Sequence, residues 1–201
     1  MNIAVLASGK GTNLQAIIDA LRNGRVKAAI AVVLSDNKEA YALKRAKEAG
    51  IEGIFVDPKA FDSKEDFDRE LIKHLKRHEV GLVALAGYMR ILSPCFIREY
   101  KNRIMNIHPA LLPSFKGSDG VKDALDYGVK VTGATVHFVT DDLDAGPVIS
   151  QSALEVDEKD TEETLREKIH KEEHRIYPEA VADFAAGRLE VRGRRVIRRK
   201  K

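Results

Sequence analysis

The sequence predicts an α/β fold, a doubly wound and mostly parallel sheet with a mixed portion toward the C-terminus. Three observations carry that prediction. Up to residue 128, short apolar runs alternate with stretches of helical spacing, the pattern of a parallel sheet covered on both faces by helices. The first run passes through a Gly-rich turn straight into a helix. Beyond residue 128 two strand-like runs follow each other with too little chain between them for a helix.

Taken in order, Asn2–Ser8 is apolar and β-branched, as a buried strand requires. Gly9-Lys10-Gly11-Thr12-Asn13 follows, then Leu14–Leu21 with helical periodicity. The free N–H groups at such a helix start favour an anion, and Lys10, Thr12 and Asn13 add charge and hydrogen-bonding groups. The spacing matches neither the P-loop nor the full dinucleotide fingerprint, so a generic phosphate site and a merely tight turn both remain open. Ala28–Leu34 reads as the second strand, Tyr41–Ala49 as a helix stopped at Gly50, and Ile51–Val56 as the third strand. Ser63 is placed to cap a helix over Lys64–Arg77, with Phe67, Leu71 and Leu75 on one stripe. Gly81–Ala86 is the fourth strand, followed by the loop Gly87–Leu92, a helix begun by Ser93-Pro94, and a fifth strand over Ile104–His108. Asp119–Tyr127 is helical and ends at Gly128. Val129–Val139 and Pro147–Val156 are the added strands, Thr161–Ala186 is a long helix in which Pro178 predicts a kink or break near Tyr177, and Arg188–Arg198 is a small hairpin.

Composition excludes several classes. Apolar residues at 44% and charged residues at 32% rule out a disordered chain, and 201 residues suit a single domain. The formal net charge is only +3, with much of the excess in the tail from Arg192 to Lys201, read as a solvated hairpin or arm rather than a nucleic-acid contact. The single Cys95 permits no internal disulfide and no Cys-rich metal site, and fits the first turn of a buried helix. His74 and His78 lie one turn apart, but no third ligand is near in sequence, so they read as a polar surface and no metal is expected. No apolar run reaches membrane-spanning length, no membrane or nucleic-acid partner is expected, and the strand at the N-terminus is unlike a signal peptide, which makes cytoplasm the expected location.

The chemistry centres on Asn106-Ile107-His108-Pro109. On a strand, Asn106 and His108 project to the same side, and Pro109 ends strand pairing. An amide and an imidazole then stand at the C-terminal end of a strand, where open α/β sheets bind ligands. The polar cluster Thr140-Asp141-Asp142-Leu143-Asp144 follows another apolar strand. If Asp144 folds back on His108, its carboxylate stabilises the charged ring and raises its pKa. Asp141, Asp142 or simple solvation of the loop are the alternatives. Amide, imidazole and carboxylate together suit attack of an amine or water on a carbonyl, with the amide donating to the oxygen that gains charge.

These residues also carry a resemblance. Ser8–Gln15, Leu85–Leu92, Asn106–Pro113, Gly133–Pro147 and Glu173–Pro178 resemble the corresponding motifs of the glycinamide ribonucleotide transformylases (phosphoribosylglycinamide formyltransferases), in the folate-dependent formyltransferase family. The match spans almost the whole chain. It implies a Rossmann-like formyltransferase fold in one domain, with a phosphate-binding half over residues 1–103. A catalytic and folate-binding half would cover residues 104–201, its basic tail starting at about residue 188. The implied substrates are glycinamide ribonucleotide and 10-formyltetrahydrofolate, without a metal, in a monomer or homodimer. By the same resemblance Asn106 polarises the formyl oxygen, His108 transfers protons, and Asp144 holds and charges the imidazole. Gly11, Thr12 and Asn13 bind the phosphate; His170, Lys171, Glu172 and Glu173 lie toward the ribose. Lys64, Met89, Arg90, Ile91, Leu92, Asn106 and Thr140 to Asp144 (Thr140, Asp141, Asp142, Leu143, Asp144) hold the folate, while Thr135 and His137 lie beneath.

Two departures stand out. Lys116-Gly117-Ser118-Asp119-Gly120-Val121 differs from the family pattern, so no contacts are carried over to it. Lys64 stands where Arg is common, keeping the charge but not a bidentate grip on a carboxylate. Three relatives of this chemistry are the alternatives. A methionyl-tRNA formyltransferase shares the Asn-His-Asp set but adds a C-terminal domain. A formyltetrahydrofolate hydrolase shares it and adds an N-terminal regulatory domain. A non-catalytic nucleotide- or folate-binding module has no need of all three residues.

Overall fold

The computed structural model describes residues 1–199. Its strands form one nine-stranded sheet. In chain order they are β1 (Asn2–Leu6), β2 (Ala29–Ser35), β3 (Gly53–Phe55), β4 (Val80–Leu85), β5 (Ile104–His108), β6 (Val131–Phe138), β7 (Val148–Glu155), β8 (Leu189–Arg192) and β9 (Arg195–Arg198). Their order across the sheet is β3-β2-β1-β4-β5-β6-β7-β9-β8. Pairings from β3 through β5 are parallel, and β5–β6 and β6–β7 are antiparallel. The helices are α1 (Thr12–Arg22), α2 (Tyr41–Glu48), α3 (Lys64–Arg77), α4 (Pro94–Glu99), α5 (Gly120–Tyr127) and α6 (Glu162–Ala185).

The doubly wound expectation holds, and the two apolar layers show why. Met105 and Ile107 of β5 join Leu14 and Ile17 of α1 and Ile176 and Tyr177 of α6 in one core. Ile104 joins Phe67 and Leu71 of α3 and Phe96 of α4 in the other. Alternate residues of one strand therefore feed opposite faces, as the pleat dictates. The sheet order reverses between β1 and β4, and their C-terminal ends open a crevice there.

Several expectations need correction. The third strand is shorter than Ile51–Val56: it pairs only with Val33–Ser35 at the sheet edge, and the Ile51 N–H is spent on the Ala46 carbonyl after α2. Pro178 does not break the long helix, which runs continuously through Ala185. Its missing N–H forfeits one intrahelical bond, but buried Leu165, Ile169, Ile176, Tyr177 and Val181 hold both halves against the sheet. The C-terminal hairpin is more than a solvated arm. β9 pairs with β7, Arg188 and Arg198 bind the buried Asp183, and Arg199 binds Glu190. The expected basic tail extends to Lys200 and Lys201, which lie outside the described residues. Among the described residues, no helix is long and apolar enough to cross a membrane.

Tyr177 ties the long helix to β4 and β5. Its fully buried hydroxyl lies 2.9 Å from the Leu85 carbonyl and 3.0 Å from that of Met105, sharing one hydrogen between the ends of β4 and β5. Tyr177→Phe removes this shared donor and should cost about 0.5–1.5 kcal/mol in a denaturant titration.

Candidate active site

The catalytic candidates converge. The antiparallel register of β5 and β6 sets Asn106 opposite His137 and His108 opposite Thr135. The loop after β6 returns Asp144, whose Oδ2 lies 3.5 Å from His108 Nδ1 and whose Oδ1 lies 3.6 Å from His137 Nε2. Both distances exceed a good hydrogen bond. The Gly117 N–H donates to Asp144 Oδ2 at 2.9 Å and fixes the carboxylate. The same loop demands a glycine at 146, where a Cβ would sit 1.7 Å from the Phe138 carbonyl oxygen.

Carbonyl oxygens only accept, which assigns the tautomers. His137 Nδ1 lies 2.9 Å from the Phe138 carbonyl and carries a hydrogen; its Nε2 then accepts from Asn106 Nδ2 at 3.3 Å. This orients the Asn106 amide and leaves its second N–H for an incoming oxygen. His108 Nε2 donates to the Phe115 carbonyl at 2.7 Å, while Nδ1 faces Asp144. Both nitrogens of His108 thus face acceptors.

Asp144 pulls the His108 pKa up, as expected, but burial sets the net direction. Burial of the ring, only 3% exposed, pushes its pKa below the ordinary histidine value against the upward pulls of Asp144 and the Phe115 carbonyl. The desolvation of an imidazolium outweighs one carboxylate 3.5 Å away. Asp144 shows the opposite outcome. Burial pushes its carboxyl up, but His137, the Gly117 N–H and the charge of His108 together hold it below its ordinary value.

Beneath the triad lies a polar ladder. Thr135 Oγ1 donates to the Ala110 carbonyl at 2.6 Å and accepts from the Leu112 N–H and from Gln151 Nε2. Gln151, opposite Thr135 on β7, also donates to the Leu112 carbonyl. It pins the chain leaving His108. Gln151, Phe115 and Gly117 are functional neighbours that the sequence analysis missed. Gln151 is a polar residue inside a strand run, which was a usable signal. Phe115 and Gly117 act through backbone atoms, which no side-chain type announces.

The phosphate-loop candidates sit at the end of β1. Gly11 caps α1 with φ +67°, and a Cβ on it would meet Ala42 at 2.8 Å, so this position needs glycine on both counts. No side chain caps the helix, leaving its first N–H groups free. Buried Asn13 donates through Nδ2 to Glu173 Oε2 at 2.9 Å, and its own Oδ1 is unpartnered. His170 lies 4.0 Å from Glu173 and stacks on His174. Glu173 and His170 thus flank the loop. Lys171 is exposed, and Glu172 turns instead to Ser152 and Arg175.

The folate candidates form the other side of the crevice. Ser8 links the two: its Oγ accepts from the Met89 N–H, and its own N–H donates to the Gly87 carbonyl. Met89, Ile91 and Leu143 are 67%, 63% and 53% exposed, large apolar side chains left without cover. Arg90 lies over the Phe67 ring at 5.1 Å. Burial raises the carboxyl of Asp68, with Lys64 and Arg90 close enough to pull the other way, and Asp68 accepts the Ser93 N–H at 2.5 Å. Leu92 is different: its side chain is buried in the α3–α4 core and leaves only backbone for a ligand. Thr140, Asp141 and Asp142 lie on the loop that brings in Asp144, partly or fully exposed. Among the described residues, no group of three or more His, Cys, Asp or Glu side chains gathers as a metal site.

An anion-ready loop and an amide–imidazole–carboxylate set at the switch-point end of the sheet suit acyl transfer on an α/β fold. The chain belongs to the formyl transferase family, whose model matches residues 1–181. It is 46% identical to the phosphoribosylglycinamide formyltransferase of Escherichia coli over 191 residues, covering 95% of this chain and 90% of that protein. It is 43% identical to the enzyme of the same name from Bacillus subtilis, covering 89% of this chain and 91% of the relative. Its structure matches glycinamide ribonucleotide transformylase 1 of Symbiobacterium toebii with a TM-score of 0.97 and 52% identity, over 98% of this chain and 93% of that one.

Glu173 supplies a test. It is 4% exposed, and burial lifts its carboxyl to about 7, opposed by the Asn13 hydrogen bond and Arg166. Folding therefore retains a proton that the unfolded chain has released. The associated stability is full below the ordinary carboxylate range and is lost as pH rises through about 7. Glu173→Gln mimics the protonated acid. It should gain on the wild type by up to about 3 kcal/mol between pH 4 and pH 8, measured as the difference in denaturant midpoints at the two pH values.

Proposed function

We propose that this protein transfers the formyl group of 10-formyltetrahydrofolate to the amine of glycinamide ribonucleotide, a step of purine biosynthesis. The observation that carries this reading is the convergence of Asn106, His108 and Asp144 between the loops after β1 and β4. The nucleotide phosphate takes the free N–H groups of Gly11, Thr12 and Asn13, with Glu173 and His170 toward the sugar. The folate lies against Met89, Ile91 and Leu143, its glutamate toward Lys64 and Arg90.

The steps follow from the groups present. The amine nitrogen attacks the formyl carbon and the carbonyl electron pair moves onto oxygen. The free N–H of Asn106 donates to that oxygen, stabilising its charge most in the tetrahedral state. His108, kept neutral by burial, accepts a proton from the attacking nitrogen; Asp144 balances the resulting imidazolium. The proton then goes to the folate nitrogen as its bond to the formyl carbon breaks, leaving a formamide and tetrahydrofolate. With the ring hydrogen on Nε2 for the Phe115 carbonyl, Nδ1 is the accepting atom; for Nε2 to accept instead, that hydrogen must sit on Nδ1 toward Asp144 and the Phe115 carbonyl must withdraw. The proposed setting is the cytoplasm, as a monomer or homodimer acting on small molecules.

The test is an absorbance assay with 10-formyl folate and glycinamide ribonucleotide. Wild-type turnover should persist in excess EDTA. His108→Ala should lose about 10²-fold or more; a smaller loss would remove the imidazole from proton transfer. Equal turnover with water and with the amine would make the protein a hydrolase instead. Asp144→Asn withdraws the charge that stabilises the imidazolium. The acid limb of its kcat/KM profile should therefore move to lower pH, alongside a fall in kcat.

A further inference from the structure

The loop between β1 and α1 has an unusual hydrogen-bond account. Four successive carbonyls are each occupied by a donor. Ser8 O accepts from Asn37 Nδ2 at 3.1 Å, Gly9 O from the Ala42 N–H at 3.1 Å, Lys10 O from Arg45 Nε at 2.9 Å, and Gly11 O from the Gln15 N–H at 3.0 Å. The N–H groups of residues 9–14 have no acceptor among the described residues. Every carbonyl of the loop is thus turned to protein, and every N–H is left for something else. Three of the four donors come from one segment, residues 37–45.

Arg45 is the side chain in that segment with the most restraint. Besides Lys10 O, it donates through Nη1 to Gln15 Oε1 at 3.1 Å, and Gln15 is itself held by donating to Asp19. Its guanidinium lies 4.9 Å from the centre of the Tyr41 ring. A planar fork holds a backbone carbonyl and a side-chain carbonyl through two nitrogens at a fixed spacing, Nε and Nη1; a lysine offers only a single nitrogen on a flexible stem and lacks that spacing. Without the donation to Lys10, the peptide between residues 10 and 11 is free to turn its carbonyl toward the crevice, where it would repel an anion.

We propose that Arg45 is a positioning residue for phosphate recognition: by holding the Lys10 carbonyl away from the crevice it keeps the loop's N–H groups aimed at the ligand. The identity of that ligand as a ribonucleotide phosphate rests on the function proposed above; the anion preference does not. Arg45 acts through the loop and not on the formyl transfer, so its effect falls on phosphate affinity alone.

The experiment compares wild type, Arg45→Met and Arg45→Lys, each checked for an unchanged thermal melt. It uses glycinamide ribonucleotide, its dephosphorylated riboside, and inorganic phosphate as competitor and as titrant in calorimetry. In Arg45→Met the KM for the ribonucleotide and the dissociation constant for phosphate should both rise about tenfold. Changes in kcat, in the KM for the formyl donor and in kcat/KM for the riboside should stay within about twofold. Arg45→Lys should keep most of the loss in phosphate affinity. Full recovery by Lys would show that charge alone matters and would overturn the proposal. So would an equal loss with the riboside, which would place the effect outside the phosphate loop, or a phosphate affinity unchanged in Arg45→Met. A wild type that binds phosphate but does not turn over the ribonucleotide would sink the proposed function. The calorimetric comparison would still decide the role of Arg45.

Discussion

Everything at the crevice depends on the register between β5 and β6. Asn106 faces His137 and His108 faces Thr135, and on the next strand Gln151 faces Thr135 in turn. A slip by one residue would send Asn106 and His108 into the α1–α6 core and bring Met105 and Ile107 to the crevice. The buried apolar residues on the opposite face make such a slip costly. The apolar half of the strand therefore enforces the position of the polar half. Tyr177, bonded to carbonyls of both β4 and β5, adds a second restraint from the far side of the sheet.

Electrostatics in this crevice are a contest between burial and pairing, decided group by group. For His108 burial wins, and the ring stays closer to its neutral form than a nearby carboxylate alone would imply. For Asp144 the surrounding donors win, and it stays charged. For Glu173 burial wins by a wide margin, leaving a carboxyl that titrates near 7 beside the loop that presents free N–H groups. The same contest thus has a different outcome at each of the three groups.

Ser8 shows how the two sides of the crevice are kept in step. Its N–H and hydroxyl both engage the chain after β4, while its carbonyl engages Asn37 after β2. The ends of three neighbouring parallel strands are thereby laced together at the switch point. A ligand spanning the crevice meets a floor that is already assembled, which reduces the ordering cost of binding.

Much of this was legible from residue order alone. Alternation of apolar and helical stretches determined the parallel sheet, the change after residue 128 determined the antiparallel addition, and the glycines at 9 and 11 marked a tight turn into the first helix. Asn106 and His108 were readable as neighbours on one face because strand periodicity is local. Other features lay beyond that reach. That Asp144 rather than Asp141 or Asp142 meets His108, that Phe115 and Gly117 contribute backbone groups, and that Gln151 and Arg45 brace the two loops all depend on contacts between residues remote in sequence. The sign of the His108 shift and the continuity of α6 through Pro178 were settled by burial and packing, quantities that exist only once the chain has folded. Local patterns specify which side chains share a face; only the packed structure decides which of them lose water and what they then meet.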